Sequence, residues 1–198
     1  MVEPVQAALS WWELGKIVLA SGVVSAVISH AIQHARDSRK VSSEKRFGAV
    51  RVVGLLDRYM MQSATNVSEH NSRYSELRNL SGISIPACVF PELEVSVDDI
   101  KSLDVEHAAK LAWLSNEITL AKGYADTVWE ITSDSDDAHS YRANFVGMLG
   151  YEAYLLASEI RRAQRIPPLA EYWRIQKKVK WLKEIWKEAR DDLRRPME

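Results

Sequence analysis

Two histidines, His30 and His34, stand four residues apart, which places both imidazoles on one helical face where they could share a metal ion. No third ligand neighbours them in sequence. The plainer reading is two polar rings at the edge of an apolar run, although a polar group at such depth is also a candidate ion or proton site. Asp134, Asp136 and Asp137 begin like a calcium loop. The sixth position is His139 rather than Gly and the twelfth is Phe145 rather than Glu, so the stretch reads as a helix-capping turn. Glu117, Glu130, Glu152 and Glu159 could meet His107 or His139 between helices and hold a metal, but the paired Glu-x-x-His signature of such sites is missing. Cys88 is the single cysteine, so no intramolecular disulfide can form and no cysteine-based zinc site is in view. The chain has no phosphate loop, dinucleotide fingerprint, zincin motif or nucleophile elbow. No catalytic, cofactor-binding or metal-ligating residue is assigned, and no cofactor is expected.

The elements that would position these residues begin with an apolar segment. From Ile17 to Ala35 there is no Asp, Glu, Lys or Arg, about the length a helix needs to cross ~30 Å of hydrocarbon. Trp11 and Trp12 precede it, at the level where indole rings favour headgroups. Arg36, Arg39, Lys40, Lys45 and Arg46 follow it, opposed by Asp37 and Glu44, whereas the other flank carries Glu3, Glu13 and Lys16. This excess predicts a single span over residues 15–35 with the N-terminus outside and the C-terminal side in the cytoplasm. A cleaved signal peptide fits less well, because the start is acidic. A soluble core helix is the better rival, since Ser21, Ser25, Ser29, His30 and Gln33 dilute the hydrophobicity. Ser21, Gly22, Ser25, Ala26 and Ser29 form a small face on the span, of the kind that lets helix backbones approach in lipid.

The 198 residues, 46% of them hydrophobic and with only 8 Gly and 6 Pro, suffice for one core in mostly regular structure. A charged share of 27% with a net charge of −1 argues against bulk disorder. The spacing of Phe47, Val50, Val53, Leu56 and Met60 predicts that the span runs on as one helix to about Ala64, roughly 80 Å in all. Residues 63–97 hold Gly82, Pro86, Pro91 and short β-branched pieces, which predicts an irregular connection with one short strand pair. Asp104 is a fair N-cap for a helix carrying Ala108, Leu111, Ile118, Ala121, Ala125 and Val128 and ending near Thr132, with Glu106 and Lys110 one turn apart. The next helix presents Ala143, Val146, Leu149, Ala153, Leu156, Ile160 and Ala163. It stops at Ile166, before two prolines. The last helix places Tyr172, Ile175, Val179, Leu182, Trp186, Ala189 and Leu193 at alternating steps of three and four, the pattern of a packed seam between helices. The fold class is therefore all-α: one N-terminal transmembrane helix behind a segment of residues 1–14, continuing into a small cytoplasmic helical bundle over 36–198.

Charge is arranged in blocks. From Glu92 to Asp137 twelve acids face three lysines, and from Arg161 to Arg195 twelve basic residues face five acids. The simplest account lays acidic and basic helices together in the bundle. A sharper one lays the last helix on an anionic leaflet, with Lys177, Lys180, Lys183, Trp173 and Trp181 in contact with lipid. Nucleic-acid binding by the same face is the least favoured partner reading. Asn66-Val-Ser68 and Asn79-Leu-Ser81 are formal glycosylation sequons and would be silent in a cytoplasmic domain.

The stretches AVRVVGLLDRYMMQ and KSLDVEHAAKLAWLSNEI, with the apolar segment before them, resemble an uncharacterised family of bacterial single-span membrane proteins with a helical cytoplasmic domain and a motif similar to Leu114-Ser115-Asn116-Glu117-Ile118. The likeness covers about the first two thirds of the chain and leaves the Lys/Trp-rich tail outside. It implies topology and a bacterial inner-membrane setting, and transfers no functional residue. The expected function is that of a membrane-tethered interaction or scaffold protein, forming a homo-oligomer or binding a helical partner through the small face of the span and the Tyr172–Leu193 seam. The runner-up is a membrane-acting effector, such as a toxin or defence component, that uses its basic last helix. A third reading is an enzyme with an unrecognised helical site.

Overall fold

The computed structural model describes the backbone over residues 11–78, 80, 85–132, 136–169 and 175–194. Side chains are described for Gln33 and from Ser43 onward, with 136, 137 and 194 excepted. Among these residues there are five helices and no strand: α1 (Trp11–Leu77), α2 (Val97–Lys101), α3 (Val105–Thr132), α4 (Asp136–Gln164) and α5 (Ile175–Arg194). The all-α expectation holds. The chain divides into two units, Met1–Glu44 and Lys45–Glu198, and α1 contributes to both. Among the described residues no helix is long and apolar enough to cross a membrane. The span expected at 15–35 apart from Gln33, its face of Ser21, Gly22, Ser25, Ala26 and Ser29, and the pair His30 and His34 have side chains outside the described residues.

In the second unit, α1 buries Ala49, Val52, Val53, Leu56, Tyr59, Met60, Ala64 and Val67. The expected stripe is corrected at its start. Phe47 and Val50 are exposed, and Ala49 and Val52 take the inward positions instead. A second correction concerns the connection expected from residue 63. The helix continues to Leu77, because Ser63, Ala64, Val67 and His70 carry the inward face on at helical spacing while polar residues occupy the rest. The expected strand pair is absent among the described residues. Residues 85–96 run without regular structure and bury Ile85, Cys88 and Phe90. Three of their carbonyls meet side chains rather than a neighbouring strand. Asn66 donates to Val89 O at 2.8 Å, His70 Nδ1 lies 3.1 Å from Pro86 O, and Arg142 Nε donates to Cys88 O at 2.7 Å.

Ser96 and Asp99 form a reciprocal capping box that starts α2. Asp99 also receives Arg51 Nε of α1 at 2.5 Å. Burial works against its charge, but the Ser96 hydroxyl and amide together with Arg51 outweigh it and hold the Asp99 carboxyl below the usual range. Asp104 caps α3, accepting from the His107 amide at 3.1 Å.

Helix α4 packs at close range on α5 and on α1 because two glycines permit it. A Cβ on Gly147 would stand 2.7 Å from Ile185 Cγ2, and one on Gly150 would stand 2.6 Å from Ser63 Cβ of α1. Arg161 of α4 pairs with Asp57 of α1. Most of the α5 seam is spent here: Ile175, Val179, Leu182 and Ala189 are buried in the chain's own core and Trp186 packs against it, while Ile185, outside the expected seam, is buried beside them and Trp181 also packs against the core. Full burial of a side chain such as Leu182 contributes roughly 1.5–3 kcal/mol. Leu193, the last seam position, is exposed. Tyr172 and Trp173 lie outside the described residues.

Candidate interaction surface

Helix α3 is apolar on two faces about a third of a turn apart. Its inward face buries Leu111, Leu114 and Ala125, with Ala108, Ile118 and Ala121 packed beside them. Its outward face carries Trp113, Leu120, Tyr124 and Ile131, at 62%, 61%, 47% and 76% exposure. Their spacing of seven, four and seven residues puts all four on one narrow line of the helix. Glu117 and Thr127 fill the two gaps in that heptad register. A helix apolar over this much of its circumference is normally covered on both sides, and here only the inner side is covered by the described residues.

The line opens at one end onto a groove of about 550 Å³ between α3 and α4. Leu114, Leu155 and Leu156 line its floor, and Trp113, Glu117, Glu152 and Glu159 stand along it. Each acid has a donor. Trp113 Nε1 donates to Glu117 at 3.0 Å, Trp186 Nε1 donates to Glu152 at 2.5 Å, and Lys110 Nζ donates to Glu159 at 2.7 Å. Lys110 also meets Glu106 at 2.9 Å, as the one-turn spacing predicts. Glu159, and then Glu106, raise the Lys110 ammonium well above its ordinary range, so it stays charged. Arg190 lies over the Trp186 ring at 4.7 Å.

The groove gathers three of the four glutamates singled out in sequence, Glu117, Glu152 and Glu159, and neither histidine. His107 pairs with Asp104 at 2.6 Å. His139 is buried among rings, stacked on His70 at 5.2 Å and edge-on to Trp129 at 4.8 Å. Among the described residues no group of three or more His, Cys, Asp or Glu could hold a metal ion. On α5, Lys177, Lys180 and Lys183 are exposed, while Trp181 is turned to the core. The outward line on α3 went unread in the sequence, because the inward residues already satisfy a helical pattern. Its signal was there: Trp113, Leu120, Tyr124 and Ile131 are left over after the inner face is assigned, and they share one register.

No family model, no curated protein and no solved structure matches this chain.

Proposed function

We propose that this chain is a membrane-tethered interaction protein that pairs through the outward line of α3, with residues 15–35 as its anchor. The observation that carries the reading is the exposed heptad of Trp113, Leu120, Tyr124 and Ile131, in a domain whose other seam is already packed. The occupant we assign to it is a second copy of the same helix. Within a strongly acidic stretch of chain, this one face holds Ala109, Ala112, Trp113, Asn116, Leu120, Gly123, Tyr124 and Thr127, with Glu117 in the same register and Glu106 and Glu130 at its edges. Its middle is uncharged, and a two-fold contact needs only a surface that complements itself. The tether rests on the charge-free segment Ile17–Ala35 and the basic cluster behind it.

Carbonate extraction of membranes should leave the full chain in the pellet, and the detergent-extracted chain should have the mass of a dimer. Leu120→Glu should return it to a monomer while leaving its helicity intact. A chain that washes off removes the tether, and a strict monomer removes the pairing.

The exposed Lys177, Lys180 and Lys183 favour a second reading, contact with an anionic leaflet. Because the apolar side of α5 is buried, that contact would be electrostatic and would not insert. Failure to bind anionic vesicles at low salt would remove it.

A further inference from the structure

The outward line of α3 has a pattern that pairing alone does not require. Read from either end it runs apolar, polar, apolar, apolar, polar, apolar: Trp113, Glu117, Leu120, Tyr124, Thr127, Ile131. The two halves mirror each other about a point level with Lys122, which itself sits about 160° round the helix from Leu120 and Tyr124. The two ends differ in shape. At the Trp113 end the line opens onto the groove of about 550 Å³ floored by Leu114, Leu155 and Leu156. At the other end Ile131 stands 76% exposed, the most open of the four apolar residues.

A second copy can lie along this line in two directions. In the same direction, hollow faces hollow, and Glu106 and Glu117 each lie beside their own copies. In opposite directions every position meets its own kind. Trp113 faces the partner's Ile131, Leu120 faces the partner's Tyr124, and Glu117 faces the partner's Thr127. The two copies of Glu117 then stand about 15 Å apart along the axis, beyond the ~8 Å over which exposed charges are felt at physiological salt. Glu130 lies on the edge of the face away from the groove. It comes between the partner's Ala112 and the partner's Asn116, both uncharged.

We infer that the two copies of α3 lie antiparallel, and that the groove between α3 and α4 is the socket for the partner's Ile131. The inference rests on the pairing of α3 with its own copy and adds its direction and its deepest contact. A two-fold axis fills both sockets at once. The groove's acids Glu117, Glu152 and Glu159 are already met by Trp113, Trp186 and Lys110 of the same chain, so the socket asks no charge of the side chain that enters it. Ile131 offers only carbon to the leucine floor.

The test is cysteine cross-linking of the full chain in membranes, with two differently tagged copies made together and a short bismaleimide added. Cys88 is buried, so the unsubstituted chain is the blank. Leu120→Cys against itself reports pairing in either direction, because its copies lie at most about 6 Å apart along the axis. Trp113→Cys against Ile131→Cys reports the antiparallel direction. Trp113→Cys against itself reports the parallel one, since antiparallel copies of that position are about 27 Å apart. Adducts are expected from Leu120→Cys and from the mixed pair, and none from Trp113→Cys alone. Ile131→Ala should weaken the dimer in detergent by about ten- to a hundredfold, the worth of burying one such side chain. A Trp113→Cys self-adduct, or a Leu120→Cys adduct without the mixed one, overturns the antiparallel socket and leaves the pairing standing. No adduct from Leu120→Cys overturns the pairing and this inference with it. A dimer unchanged by Ile131→Ala overturns the socket.

Discussion

The ion pair between Asp57 and Arg161 ties α1 to α4 at a point where neither charge can reach bulk water freely. The side chains are 20% and 8% exposed. Among the described residues Asp57 Oδ1 is buried with no hydrogen-bond partner, so Arg161 is what compensates this carboxylate. Removing one partner leaves the other charge buried and unpaired, which costs about 3–5 kcal/mol. Asp57→Ala should therefore lower the stability of the helical domain by about that amount, and its melting temperature by roughly 6–20 °C at 2–4 °C per kcal/mol. Replacing both partners, as in Asp57→Leu with Arg161→Met, should recover most of the loss, because an apolar pair removes both desolvation penalties together. The exposed pair Lys187–Glu184, at 3.1 Å, is the control and should change stability by less than about 1 kcal/mol when cut. Urea titrations of the full chain in detergent, followed by helical circular dichroism, give these differences directly. A loss under about 1 kcal/mol for Asp57→Ala, or a double variant no better than the single, would refute the reasoning.

Three further outcomes follow from the same packing. Burial pushes the Cys88 thiol up to about 12, with Arg142 pulling only weakly the other way, so the native chain should not react with a thiol reagent at pH 8 until it unfolds. Burial, then His139 and Arg142, hold His70 below its ordinary value of 6.5 against the pull of the Pro86 carbonyl. The unfolded chain therefore binds the proton first. Stability should be full above pH 6.5 and decline as pH falls through it, by at most about 1.4 kcal/mol per pH unit for this group. His70→Phe should flatten that decline in a pH series of urea midpoints. Gly150→Ala places a methyl 2.6 Å from Ser63 Cβ and should cost about 1–3 kcal/mol in the same unfolding assay, whereas Gly54→Ala, with open space around it, should not destabilise.

Much of the second unit was legible in sequence because its helices carry one clear inward face. The periodicities of Ala143–Ile160 and Ile175–Ala189 matched the buried sides of α4 and α5, and Asp104 marked the start of α3. Two readings failed for physical reasons. The extension of α1 from Ser63 to Leu77 was missed because its inward positions are Ser63, Ala64, Val67 and His70, too small or polar to register as an apolar stripe, although no Pro or Gly interrupts them. Residues 85–96 looked like a strand pair because they hold short β-branched pieces around Ile85, Val89 and Val95. They are held instead by side chains from α1 and α4 that reach their carbonyls, a long-range arrangement no local pattern encodes. Beyond the small face of the span, the partner surface was sought on α5, the most regular helix. Regularity there marked a seam filled by the chain itself, and the uncovered seam was the less tidy one on α3.

The claim that α3 pairs with its own copy is tested most directly in cells, with a photoreactive benzoylphenylalanine in place of Leu120 in the full chain. Irradiation should give one adduct in the membrane fraction at twice the 22.5 kDa chain mass, matched by the same substitution at Trp113 and absent from the exposed control position Val97. No such adduct from Leu120 and Trp113, or one equally strong from Val97, would contradict it.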